Sequence, residues 1–105
     1  MNVPAVTVSD IPADAAIVDV REQAEWDAGH APGAVHIPMG ELAGRLDELP
    51  DTALHVICRS GGRSARVTAY LNANGWDAVN VDGGMQSWAA AGRPMASAAG
   101  SPEVL

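Results

Sequence analysis

Short apolar runs alternate with polar, helix-prone stretches along the whole chain. Val6-Thr7-Val8 has the apolar–polar–apolar alternation of a short strand. Ala16-Ile17-Val18-Asp19-Val20 is a compact β-rich run of the kind a buried strand needs. Residues 22–28 predict a short helix that Gly29 ends, and Val35-His36-Ile37 predicts a further strand stopped by Pro38. Leu42, Leu46 and Leu49 recur at helical spacing with acids and Arg45 between them, which predicts a helix over 41–49 closed by Pro50. Leu54-His55-Val56-Ile57 predicts the next strand, with Cys58 at its end. Gly61-Gly62 then imposes a tight turn. A helix over 64–74 is expected after it, with Ser64 as its cap, Val67 and Leu71 on one face, and Gly75 as its stop. Residues 78–81 predict a last strand and 85–91 a last short helix. Strands alternating with helices imply an α/β layered fold with a mostly parallel sheet.

Composition narrows the picture. A chain of 105 residues fits one domain, and it contains no internal repeat and no linker before residue 95. Apolar residues make up 48%, but twenty of them are Ala, Phe is absent, and the aromatics are three Trp and one Tyr. The core is therefore expected to be small, with Trp26, Trp76 and Trp88 supplying its bulk or its walls rather than stacking on a ligand. Residues 96–105 are rich in Ala, Ser and Gly and predict a loose C-terminal tail. No apolar run approaches a membrane span, and residues 1–10 lack the basic start and apolar core of a signal peptide, so a cytoplasmic protein is expected. Net charge is −7, from six Arg, no Lys and thirteen acids, which argues against nucleic acid or an anionic membrane as partner. With one Cys there is no intrachain disulfide and no paired-Cys zinc site, and the three His are spaced in no zinc pattern. No metal and no cofactor are expected.

The distribution of charge says more than its sum. Residues 52–76 hold Arg59, Arg63 and Arg66 and no acid, so this one basic stretch of an acidic chain contains its only Cys. Ligands of open α/β sheets bind beyond the carboxyl ends of strands, where Cys58 is expected. In Cys58-Arg59-Ser60-Gly61-Gly62-Arg63 the glycines let the backbone curl so that N–H groups and a helix N-terminus form an anion cradle. That field should favour the thiolate, which attacks anionic sulfur or phosphorus compounds. The competing reading is an inert, buried Cys acting as a small hydrophobe; the Gly-Gly turn and the flanking Arg residues weigh against it. Arg59 is expected at the pocket mouth, where it steers an anion or is simply solvated. Arg63 contacts the anion or pins the loop. The second is favoured, because an Arg at a helix start opposes the dipole unless it is otherwise paired. Ser60 donates to the bound sulfur or serves as a small turn residue, and Arg66 is expected on the surface. His55, three residues before Cys58 in a strand, points to the opposite face and is a poor base for it.

Cys58-Arg59-Ser60-Gly61-Gly62-Arg63-Ser64 resembles the active-site loop of the rhodanese, or sulfurtransferase, family. Asp19-Val20-Arg21-Glu22 with Glu25-Trp26 and Gly29-His30 is similar to that family's upstream motif, which Gly33-Ala34-Val35-His36-Ile37-Pro38 continues. Gly83-Gly84, Trp88 and Gly92-Arg93-Pro94 resemble its C-terminal signature. The order and spacing agree over roughly residues 5–95. The resemblance implies a single rhodanese domain over 1–95, with a five-stranded, mainly parallel sheet and helices on both faces. It implies that Cys58 takes a sulfane sulfur from a small anionic donor such as thiosulfate (or from a persulfide), holds it as a persulfide, and passes it to cyanide or a thiol, protein thiols included. Arg59, Ser60, Gly61, Gly62, Arg63 and Ser64 would then surround the substrate. Asp19 and Arg21 would organise the active-site face by ion pairing, although the residues themselves favour a purely structural pair. His30 and His36 belong to the upstream motif and look structural. Four residues separate Cys58 from Arg63, one fewer than in the related cell-cycle phosphatases and arsenate reductases, so sulfur transfer is expected over phosphate or arsenate chemistry. A non-catalytic rhodanese-like binding module is the other alternative; those modules commonly lose the Cys that is retained here.

Overall fold

A computed structural model describes residues 3–98 and 100–105. Five strands, β1 (Ala5–Val6), β2 (Ala16–Asp19), β3 (Val35–His36), β4 (Leu54–Ile57) and β5 (Ala78–Val81), form one sheet in the order β1-β5-β4-β2-β3. Every pairing is parallel. The central strand β4 is apolar because both its faces are covered, as parallel sheets require. Leu54, Val56 and Cys58 point to one side, into a core shared with Val18, Val20, Leu42, Leu49, Val67 and Leu71. Ile57 points to the other side, with Ile17, Val81, Met85 and Trp88. Helix α2 (Gly62–Ala73) covers the first side, and helix α3 (Gly84–Ala90) the second. The small helix α1 (Gln23–Ala28) buries none of its residues fully, and its Glu25 pairs with Arg63 near the start of α2.

Three sequence expectations change. The helix expected over 41–49 is instead two 3-10 turns, Met39–Gly44 and Leu46–Glu48, interrupted at Arg45. Gly40 and Gly44 weaken a regular helix, while the tighter turns still bury Leu42 and Leu49. The strand expected over 6–8 stops at Val6, because the Thr7 hydroxyl bonds the Asp10 carboxylate (3.2 Å) and starts a 3-10 turn, Val8–Asp10. The tail expected to be loose over 96–105 is docked along its described length. Ala96 and His30 exchange backbone hydrogen bonds of 2.9 Å, and Ala98 N–H donates to Asp27. Further on, Glu103 N–H donates to the Ala28 carbonyl, and Val104 packs against the second core. Nothing in an Ala/Ser/Gly composition announces such a partner.

Candidate active site

Cys58 follows the last residue of β4, and the chain then turns through Arg59 and Ser60 into α2. Gly61 caps that helix in the left-handed region (φ 110°), a conformation a side chain resists. Gly62, the first helical residue, has an ordinary φ and open space where a Cβ would lie. The turn aims donors at the sulfur: the Gly61 N–H lies 3.1 Å from Sγ and the Ser64 hydroxyl 3.2 Å from it. Burial pushes the Cys58 thiol up, but the Ser64 hydroxyl and the N–H groups of Ser64, Gly61 and Ser60 outweigh it and leave the thiol below its ordinary value. The sulfur is deep, with Cys58 only 1% exposed, while Arg59 and Ser60 form the solvent side of the loop.

Ser64 is not the helix cap that its sequence position predicts. It lies inside α2, fully buried, with its hydroxyl between Sγ and the Asn80 side-chain oxygen on β5 (2.5 Å). Arg63 is held by a two-pronged pair with Glu25 on α1, at 2.7 and 2.9 Å. The paired charge offsets the unfavourable placement of an Arg at a helix start. In return, the Arg63 guanidinium bonds to Glu25 and lowers its carboxyl from 4.5 to about 2. Arg59 is exposed and donates from Nε to the Leu105 carbonyl at 2.5 Å.

Asp19 and Arg21 form a fully buried pair at the end of β2. The carboxylate accepts from Nη2 (2.7 Å), from Nε and from the Arg21 backbone, while Nη2 also reaches the Gly29 carbonyl. The pair ties β2 to the end of α1. Trp26 on α1 is stacked between His30 and His36, at ring-centre distances of 3.7 and 4.7 Å. Each imidazole bonds a backbone carbonyl, so both are wall residues.

A third element braces the loop from below. The first amides of α3, on Met85 and Gln86, donate to the carbonyls of Cys58 and Arg59 at 2.8 and 3.0 Å. Gly84 makes this approach possible, since a Cβ there would lie 2.4 Å from the Cys58 carbonyl oxygen. Residues 7–91 match the family described as the rhodanese-like domain. The chain belongs to that family.

This rhodanese-like domain is 38% identical over 89 residues to a sulfurtransferase of Allochromatium vinosum, covering 83% of both chains. It superposes on a rhodanese-related protein of Thermoplasma volcanium with a TM-score of 0.83, at 32% identity, over 89% of this chain and 97% of that one. A thiosulfate sulfurtransferase of Pseudomonas aeruginosa aligns at 25% identity and a TM-score of 0.77, over 91% of this chain but only 20% of that larger one. Among the described residues of this rhodanese-like domain, no three His, Cys, Asp or Glu side chains gather to hold a metal ion, and no helix is long and apolar enough to cross a membrane.

Sequence reasoning placed the loop but overlooked two of its supports. Glu25 was legible only as a motif position, though an Arg at a helix start demands a carboxylate from somewhere. Asn80 carried a weaker signal, a polar residue between two Val in a buried strand, whose amide must find partners.

Proposed function

We propose that this rhodanese-like domain transfers a sulfane sulfur through a persulfide on Cys58. The observation that carries the reading is the sulfur at the focus of the Gly61 N–H and the Ser64 hydroxyl, with its thiol lowered despite burial. The thiolate lone pair attacks the outer sulfur of thiosulfate, a new S–S bond forms, and the old one breaks as sulfite leaves with its electron pair. The product is an anionic Cys58 persulfide, and the total charge is unchanged. Cyanide or a thiolate then attacks the terminal sulfur, and Cys58 returns as a thiolate. The backbone N–H groups of the turn suit the negative charge that the terminal sulfur carries. In this reading Arg59, on the solvent side, draws in the anionic donor. Ser60, Gly61, Gly62 and Ser64 shape the pocket around the transferred atom, and Arg63 keeps the loop on α1. Asp19 and Arg21 tie β2 to the end of α1, the helix that carries Glu25. The donor is thiosulfate or a persulfide, and the acceptor a small nucleophile or a protein thiol. A lone cysteine that must stay reduced between turnovers suits a reducing compartment such as the cytoplasm.

The test is an intact-mass measurement after incubation with thiosulfate, beside a Cys58→Ser variant. A gain of one sulfur atom on the unaltered protein alone, reversed by cyanide, is expected. No gain with thiosulfate or with a low-molecular-weight persulfide would move the assignment to a non-catalytic binding module.

A further inference from the structure

The hydrogen bonds around Ser64 ask for more protons than its hydroxyl has. Asn80 donates from Nδ2 to the Gly61 carbonyl at 3.2 Å, which fixes its amide with Oδ1 facing Ser64. An oxygen–oxygen contact of 2.5 Å needs a proton between the two atoms, and an amide oxygen has none to give. The Ser64 hydroxyl therefore favours Asn80, and Sγ, 3.2 Å away, competes for the same proton. As a thiol, Sγ can donate to the hydroxyl oxygen instead of accepting from it. Once Cys58 ionises, Sγ can only accept, and the hydroxyl must turn from Oδ1 to serve it.

We propose that Asn80 is a positioning residue that holds the Ser64 hydroxyl off the Cys58 sulfur while it is a thiol and yields it when the sulfur becomes a thiolate. The inference rests on Cys58 being the nucleophile of the proposed transfer. It assigns the hydroxyl a motion in step with the cycle. The free thiolate takes the bond; in the persulfide the charge moves to the terminal sulfur, and the hydroxyl returns to Asn80. When an acceptor removes the outer sulfur, the bond swings back to the leaving Sγ. No proton passes through Ser64, and the thiol proton departs to solvent. Each element around the sulfur leaves this exchange to the two neutral side chains. From α2, Arg63 has its charge bridged by Glu25 of α1. From β5 comes the Asn80 amide, and from α3 the amides of Met85 and Gln86, which are spent on the loop carbonyls. Arg59, next in the chain, is turned to Leu105.

Cys58 is the only cysteine, so the pH dependence of iodoacetamide alkylation reads its thiolate alone. In Asn80→Leu the hydroxyl loses its competing acceptor, and the alkylation midpoint should fall by about 0.5–1 pH unit. In Ser64→Ala the same Asn80 change should move nothing. A midpoint that stays or rises in Asn80→Leu overturns the proposal, as does an equal fall in the double variant, which would trace the effect to the lost Gly61 bond. Asn80→Ala serves if the Leu variant does not fold. Ser64→Ala alone gives a second reading with Asn80 intact. An uncontested hydroxyl on a thiolate is worth about 1–2 pH units, so a rise of that size refutes the competition, and a smaller rise supports it. Because no sulfur donor is present, failure here is separable from failure of persulfide transfer.

Discussion

Replacing Glu25 with Gln keeps the shape of the side chain and removes the charge that anchors Arg63 at the start of α2. The carboxyl sits at about 2 in the folded protein against 4.5 when free, which by linkage corresponds to at most about 3 kcal/mol. The Arg63 side chain is 31% exposed and that of Glu25 16%, so solvent screening brings the expected loss to about 1–2 kcal/mol. A depressed carboxyl contributes fully above its unfolded value and loses its contribution as pH falls through the folded one. The deficit of Glu25→Gln should therefore be complete at pH 7 and less than half as large at pH 3. Urea unfolding of both proteins at the two pH values measures it directly. An equal deficit at both would mean that the loss does not come from the ionised carboxylate. No deficit at pH 7 would mean that the bridge contributes nothing to the fold.

Asp19→Ala should cost about 3–5 kcal/mol in urea unfolding, because it strands the Arg21 charge in a site with 0% exposure; a loss under about 1 kcal/mol would show the pair to be dispensable. Gly84→Ala should lower stability by at least about 2 kcal/mol, through a φ of +55° and the collision with the Cys58 carbonyl, whereas Gly62→Ala should be near neutral. Equal melting temperatures for these two glycine variants would refute the bracing role given to α3. Arg59→Ala should weaken saturation by thiosulfate and flatten its dependence on salt, since an exposed charge acts by steering. Unchanged kinetics at low and high ionic strength would make Arg59 a bystander.

Most of the fold was legible because its signals are local. The run at 54–57, Gly61 and the face shared by Val67 and Leu71 each state their element within a few residues, and the strand–helix alternation then leaves a parallel sheet as the way to cover both faces. The leucines at 42, 46 and 49 misled, because their spacing records which residues face the core and not how tightly the chain winds. Ser64 misled for a related reason: a serine near a helix start is a good cap in isolation, but the turn at Gly61 begins the helix earlier and carries the hydroxyl under the sulfur. Cys58, its loop and the pairing of Asp19 with Arg21 could be named from the chain alone, since the motif residues lie within a few positions of each other. Glu25 on Arg63, Asn80 on Ser64, the α3 amides on the loop carbonyls and the docked tail could not. Each joins residues 16 to 46 or more positions apart, or a backbone group that every residue possesses. The sequence by itself determined the layered sheet and the place of Cys58 at the end of its central strand. Only the tertiary structure decided which distant side chains surround that sulfur, because a hydrogen bond depends on where the folded chain brings its donor and acceptor.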